Sequence, residues 1–316
     1  MKILSPDYYS SFSCIADKCR HNCCIGWEID IDERTAEYYK NIGGILGSRL
    51  KNSISEQENG ACFRLTEDER CPFLNSHGLC DIILELGEGA LCQICTDHPR
   101  FRNYFSDHVE IGLGLCCEAA ADLILTKKER EGSVVLCDDG SRENPLSEEE
   151  VSLLSLRQKL TEIAQNRDLS VFDRLQTILK YMDIDSEPIG FFADQMLSLE
   201  QMNPSWTSKL QTLRIFESET PDITGQVIQT LETFPLHFEQ YLVYLLYRHL
   251  PSAFNTHAEK DYVVFITASV CLSAKLYASL IDQSAYPNEG LLIDIIREWS
   301  AEIEYSDENI EKLLNL

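Results

Sequence analysis

Phe12-Ser13-Cys14-Ile15-Ala16-Asp17-Lys18-Cys19-Arg20-His21-Asn22-Cys23-Cys24 decides how this chain is read, because four thiols spaced C-x4-C-x3-C-C exceed what packing asks for and match what a metal asks for. More thiols follow at Cys71-Pro72-Phe73-Leu74 with Cys80, at Cys92-Gln93-Ile94-Cys95 and at Cys116-Cys117, so that 11 of the 13 cysteines precede residue 118. Oxidised cysteines staple secreted domains, whereas reduced ones bind metals or do chemistry in the cytosol. The N-terminus, Met1-Lys2-Ile3-Leu4-Ser5-Pro6-Asp7-Tyr8, has neither a long apolar core nor a small-residue cleavage site and does not read as a secretory signal. The odd cysteine total, the two adjacent pairs and a length that needs no staples argue the same way. The expected compartment is therefore the cytoplasm, and metal binding is set against buried structural thiols as the duller explanation.

At 316 residues, 44% hydrophobic and 25% charged, the chain has the composition of a globular protein of about two domains. The formal net charge of −25 is shared by both halves: 11 Lys and Arg against 20 Asp and Glu over residues 1–126, and 16 against 32 over residues 127–316. Nucleic acid is not an expected partner, since phosphates would be repelled and no basic stripe exists to release counterions. Nor is a membrane: the most apolar stretch, Tyr262 to Leu280, is interrupted by Ser269, Ser273, Lys275 and Tyr277 and reads as a buried helix. A basic or lysine-bearing protein would be steered in by the field.

Along the first part, Trp27, Ile29 and Ile31 alternate with acids as in a half-buried strand, and Asp32 caps a helix from Glu33 to about Asn41. Residues 71–83 read as a hairpin turning at Asn75-Ser76-His77-Gly78, which brings Cys71 and Cys80 together as in a metal knuckle. Cys92 and Cys95 have C-x2-C spacing, and His98 follows three residues later as a possible ligand or a polar helix end. Arg100 is a candidate for neutralising thiolates or holding a carboxylate, against the alternative of a solvated side chain. Val109 to Leu115 reads as a strand entering a helix at Cys116-Cys117-Glu118. Cys117 stands where a G-x-G-x-x-G loop would need its third glycine, so a thiolate-favouring helix N-terminus is the better reading than a cofactor loop.

Residues 127–150 are charged and turn-rich and read as a linker. From Ser147-Glu148-Glu149-Glu150, a capping box, the pattern is helical throughout, with segments at about 169–182, 188–201, 205–217, 222–233, 236–250, 258–282, 288–303 and 307–315 divided by prolines. In Phe238-Glu239-Gln240-Tyr241-Leu242-Val243-Tyr244-Leu245-Leu246-Tyr247-Arg248, the residues Tyr241, Tyr244 and Arg248 share one face and could wall a ligand or an ammonium group, unless they are core with hydroxyls at the rim. The expected fold is mainly α: a metal-stapled, cysteine-rich N-terminal domain with a few short strands over 1–126, a linker over 127–150 and an all-helical domain over 151–316.

These pieces resemble the flagellin lysine-N-methylase family and the wider group of zinc- or iron-chelating cysteine-cluster proteins. The resemblance is carried by Phe12-x-Cys14-Ile15-x3-Cys19-x3-Cys23-Cys24-x2-Trp27-x-Ile29-x-Ile31-Asp32, Cys71-Pro72-Phe73-Leu74 with Leu79-Cys80-x-Ile82, Leu91-x3-Cys95-x2-His98-Pro99-Arg100 and Cys116-x-Glu118-Ala119. It continues more loosely at Phe238-Glu239-Gln240-Tyr241-Leu242. The chain departs from the family at His98, where tyrosine is usual, at Cys117, where proline is usual, and at Cys92, which looks like an extra thiol. Trp299-Ser300-Ala301-Glu302-Ile303-Glu304-Tyr305 resembles a Ser-Arg…Glu-His stretch of the methylases, with Ala301 and Tyr305 replacing Arg and His.

The resemblance implies transfer of methyl groups from S-adenosylmethionine to lysines of flagellin, with a 4Fe-4S cluster in the N-terminal domain. The metal would be held from among Cys14, Cys19, Cys23, Cys24, Cys71, Cys80, Cys95 and Cys116, with zinc as the alternative that thiolate spacing does not exclude. Glu239, Tyr241 and Tyr244 become catalytic candidates, and Arg100 and Arg248 substrate- or cofactor-binding ones. Gly26 stands where a C-x3-C-x2-C motif from Cys19 would need its last cysteine, so a radical enzyme is not expected. The alternative function is a non-enzymatic cytoplasmic metal-binding protein that acts through a protein partner.

Overall fold

A computed structural model describes residues 1–57, 60–141, 144–281 and 287–315; Arg142 and Glu143 of the expected linker and Asp282 of the expected helix 258–282 lie outside the described residues. The fold is mainly α, with fourteen α-helices among the described residues and two small sheets. Backbone contacts divide it into two units that interleave in sequence. One comprises Ser13–Arg100 with Cys117–Ala119, and the other Met1–Phe12, Phe101–Cys116 and Ala120–Leu316. The contiguous 1–126 and 151–316 division expected from composition is replaced by this exchange, which places Cys116 in one unit and Cys117 in the other.

In the thiol-rich unit a three-stranded antiparallel sheet has Gly60–Phe63 at its centre, flanked by Asp30–Ile31 and Ile54–Gln57. The alternation at 27–31 predicts burial correctly, with Ile29 and Ile31 inside, but only Asp30 and Ile31 are paired as strand. Asp32 caps the helix Glu33–Lys40 by accepting from Thr35 N at 3.0 Å, and its other oxygen accepts from Gln93 N at 2.8 Å. One carboxylate thus serves the N-termini of two helices, Glu33–Lys40 and Gln93–Asp97. The turn after Cys71 forms as expected, with Asn75 N donating to Leu79 O at 2.9 Å and a bridge between Leu74 and Cys80. Its second arm, however, becomes the helix Asp81–Leu86 rather than a strand, with Cys80 at the N-cap position. Tyr39, Leu50, Phe63, Phe73 and Ile82 form the core together with Cys71 and Cys92, and Cys24, Cys80 and Cys95 pack against it half-buried.

The second unit is not all-helical. It contains a four-stranded sheet in the order Arg100–Tyr104, Val109–Leu113, Lys2–Pro6, Ser133–Asp138, in which Lys2–Pro6 runs parallel to Val109–Leu113 and antiparallel to Ser133–Asp138. Val109–Leu113 is buried along its whole length, and a Cβ on Gly112 would lie 2.3 Å from the Phe101 ring, so only glycine fits there. The stretch read as a linker supplies the strand Ser133–Asp138. Its beginning is tied down as well: the buried Gln240 donates to the carbonyls of Lys127 and Glu129 at 2.9 and 2.8 Å. Turn-rich charge thus concealed an edge strand.

The helices follow the sequence closely: Glu148–Ala164 begins with the Ser147/Glu150 capping box, and Val171–Tyr181, Pro204–Glu219, Ile223–Thr233, Pro235–His249, Glu259–Leu280, Glu289–Ile303 and Asp307–Leu314 match the proline-bounded segments. Only 188–201 shrinks, to Ala193–Leu197. Glu259–Leu280, apolar and long enough to cross a membrane, is instead packed by the helices Pro204–Glu219, Ile223–Thr233, Pro235–His249 and Glu289–Ile303. Its one buried charge, Lys275, is met by Glu217 Oε1 at 2.8 Å and Phe191 O at 2.6 Å.

Candidate functional site

In the thiol-rich unit two backbone segments run side by side and carry the first pair of thiols: Cys71 N donates to Cys24 O at 2.8 Å, Ile25 bridges Arg70, and Gly26 N donates to Glu69 O at 2.9 Å. The turn at Asn75 returns the chain with Cys80, and the short helix Gln93–Asp97 adds Cys92 and Cys95, whose sulfurs are 3.4 Å apart. Neighbouring charges link these thiols: Cys24 feels Cys71 and Cys95, Cys71 and Cys80 both feel Cys92, and Cys95 feels Cys71, Cys80 and Cys92. Burial, reinforced by the neighbouring thiols, pushes Cys71 up to about 11 and Cys80 upward as well. The hydrogen bond within each close pair divides it, so that Cys23 falls to about 7 while Cys24 rises, and Cys92 falls while Cys95 rises.

A second, more exposed group surrounds Glu118. Its carboxylate accepts from Arg20 N and Nε, both at 2.8 Å, and from His21 N at 3.3 Å, and Cys19 Sγ donates to it at 3.8 Å. Cys19 rises to about 11, through burial first and then the charges of Glu118, Cys117 and Cys23. Cys23 and Cys24 thus join the inner group to the outer one. Cys14 is exposed, and its sulfur accepts from Ala16 N at 3.4 Å.

The thiols brought together differ from the set chosen from the sequence. Cys92, taken as an extra thiol, is fully buried in the inner group, and Cys117 lies with Cys19. Cys116 belongs to the other unit, where its thiol lies against the Tyr305 hydroxyl. The C-x2-C spacing was a visible signal for Cys92. No spacing rule separates Cys116 from Cys117, whose directions are set by the start of the helix Glu118–Leu125.

Among the described residues, no three Cys, His, Asp or Glu side chains converge closely enough to hold an ion as they stand. The donor set is nonetheless of the right kind: five clustered sulfurs. The 3.4 Å between Cys92 and Cys95 is close to the edge of about 3.8 Å that zinc–sulfur bonds of about 2.3 Å give a tetrahedron. His98 falls to about 4 through burial and the Arg100 charge, and its buried Nε2 has no hydrogen-bond partner. Arg100 itself donates to Thr96 O and His98 O at 3.2 and 3.4 Å and closes the end of the helix Gln93–Asp97.

In the helical unit the candidates separate. Glu239, 1% exposed, is held by Arg174 Nη1 and Arg167 Nη2, each at 2.8 Å, so its carboxylate is committed to a structural clamp. Tyr241 is fully buried, with its ring 5.6 Å from that of Trp299 and its hydroxyl facing Ser273. Tyr244 and Arg248 do come together, around Glu304. Tyr244 Oη donates to Glu304 Oε2 at 2.8 Å and accepts from Arg248 Nη1 at 2.8 Å and Leu115 N at 3.3 Å, which uses all its capacity. Glu304 also accepts from Ser300 Oγ, meets His249 Nε2 at 2.6 Å and lies 3.4 Å from Arg248 Nε. Burial raises this carboxyl, but the Arg248 charge and the bonds from His249 and Ser300 outweigh it and hold it below the ordinary range. Arg248 is stacked between the rings of Phe101 and Tyr305, at 4.8 and 5.0 Å. The stretch Ser300–Tyr305 therefore meets two of the candidates, through a Glu304 that was not itself singled out.

No family model matches the chain, and no solved structure matches it. Curated relatives do. The chain is 27% identical over 129 residues to a Lysine-N-methylase of Salmonella typhimurium, an alignment covering 39% of this chain and 32% of that protein. The same figures hold for the Lysine-N-methylase of Salmonella choleraesuis. A Flagellar biosynthetic protein FliU of Salmonella muenchen is 28% identical over 129 residues, covering 39% of this chain and 76% of the relative. The chain thus spans about a third of the length of the Lysine-N-methylases it matches. It is lysine methylase-like over part of its length.

Proposed function

We propose that this protein is a methylase-like enzyme that transfers methyl groups from S-adenosylmethionine to lysine side chains of a protein such as flagellin. We further propose that its thiol-rich unit holds an iron–sulfur cluster, with zinc as the alternative metal. The partial likeness to Lysine-N-methylases and to FliU carries the reaction. S-adenosylmethionine would supply an electrophilic methyl group, and the acceptor nitrogen must first lose its proton to a base or a desolvating pocket. Tyr244, held as a phenol by burial, and Glu239, clamped by two arginines, act as structural groups in the arrangement described.

The metal would be held from among Cys24, Cys71, Cys80, Cys92 and Cys95, with the remaining thiols turning toward the Cys92–Cys95 pair. A cation there would relieve the mutual repulsion of the thiolates, and its binding energy would add to the folding energy of a unit with short strands and a small core. The same burial of Glu239, Tyr241 and Tyr244 favours a second reading, a non-enzymatic metal-holding protein acting through a partner.

The experiment is calorimetric titration of anaerobically purified protein with S-adenosylmethionine, followed by mass spectrometry of flagellin incubated with both. Binding of the methyl donor and mass gains of 14 units or so on flagellin lysines are expected of the enzyme. Absence of both leaves the metal-holding reading.

A further inference from the structure

A cleft of about 370 Å³ opens in the thiol-rich unit and is lined by Gly26, Trp27, Glu28, Phe63, Arg64 and Glu69 among others. That volume lies in the range of ligand clefts, about 300 to 1,000 Å³. Its shape comes from the backbone. Gly26 takes φ +75° as its N–H bonds Glu69 O, and the chain then turns into Trp27 and Glu28. Glu69 is itself left-handed, at φ +54°, in a turn closed by Thr66 N to Arg70 O and Glu69 N to Thr66 O, both at 2.9 Å. A non-glycine residue held there is strained, and this one lines the cleft.

The lining selects a cation with an apolar stem. Two carboxylates, Glu28 and Glu69, and one guanidinium, Arg64, are among the lining residues, in a chain whose net charge of −25 gives a negative field. Indole is the best aromatic face for an ammonium group, and Trp27 is half-buried, whereas Trp206 and Trp299 are fully enclosed. Leu65, half-buried, offers apolar surface for methylenes.

We propose that this cleft binds a lysine side chain, its ammonium or methylammonium group held by the Trp27 face and the carboxylates of Glu28 and Glu69. Lysine, rather than another cation, rests on the methylase reading. The site also shares a ladder with the thiols: Cys24 and Cys71 lie two residues from Gly26 and Glu69 on the paired segments that form one side of it. The acceptor would therefore be seated next to the metal-holding group.

The test is calorimetric titration of metal-replete protein with Nα-acetyl-lysine amide, its Nε-trimethyl derivative and its Nε-acetyl derivative, which keeps the stem and loses the charge. The charged probes bind saturably and the acetylated one does not. Glu28→Gln with Glu69→Gln, and Trp27→Leu, each weaken binding by roughly tenfold, and Trp27→Phe less, with circular dichroism unchanged. Equal binding of the acetylated probe, affinity unchanged in the double glutamine variant, or no saturable binding to the native protein overturns the site. Lysine binding without methyl transfer to flagellin would overturn the methylase reading and uphold this site. Methyl transfer with an unaltered KM for flagellin in the double glutamine variant would do the reverse.

Discussion

The inner group of the thiol-rich unit sets sulfurs against other sulfurs, whereas in the helical unit Glu239 and Glu304 are buried carboxylates facing guanidinium and imidazole groups. Cys24, Cys71, Cys80, Cys92 and Cys95 shift their neighbours' thiols through their own charges. Glu239 and Glu304, by contrast, are each met by arginine within the fold. The difference teaches where an outside cation has donors to meet. A buried carboxylate bonded to arginine is electrostatically closed, while clustered thiols can still give up protons to a metal.

Chelation breaks the comparison most sharply. Removing metal from purified protein should unfold the thiol-rich unit while the helical unit keeps its melting transition, giving two separated events in a calorimetric scan. A scan unchanged by complete metal removal would count against a metal-dependent half. Next in size is Glu239→Ala, which strands Arg174, 4% exposed, without its partner. Breaking a buried pair in this way costs roughly 3–5 kcal/mol, so the helical transition should drop by many degrees while the thiol-rich one stays. Glu239→Ala with an unshifted helical transition would contradict the clamp.

Acid should tell the units apart more gently. Glu304 sits below its ordinary value in the folded chain, so its contribution is present above about pH 4.5 and lost as pH falls through the folded value. Burial likewise holds His249 below 6.5, and the stability of that neutral ring is lost as pH falls from 6.5 toward its folded value. Below about pH 4.5 the helical transition should therefore decline more steeply in the wild type than in Glu304→Gln, which starts lower. Equal slopes in the two proteins would remove Glu304 from the account. The smallest effect is Ser147→Ala, which removes one half of the capping box and should lower the helical transition by about 1 kcal/mol. Urea denaturation followed by far-ultraviolet dichroism would detect it.

Local signals were legible in the sequence. The Ser147/Glu150 box, Asp32 as a cap and the proline-bounded helices are encoded within a few neighbouring residues, and they appear where the sequence puts them. Pairing between distant segments was not. Ser133–Asp138 reads as linker because its strand character comes from Lys2–Pro6, more than a hundred residues away. The same limit separates Cys116 from Cys117, since adjacent thiols differ only in which way the start of a helix turns them. Glu304 was passed over because its importance lies in Arg248 and His249 on another helix. Spacing finds groups that act together locally, and Cys92, at C-x2-C from Cys95, shows that it should be followed even against a family pattern.

Metal and sulfide content is the measurement that reaches the central claim most directly, taken on anaerobically purified wild-type protein, Cys92→Ser and Cys116→Ser side by side. The arrangement of the inner thiols predicts metal in the wild type, most of it lost in Cys92→Ser and retained in Cys116→Ser. Metal-free wild-type protein, or loss in Cys116→Ser with retention in Cys92→Ser, would contradict it.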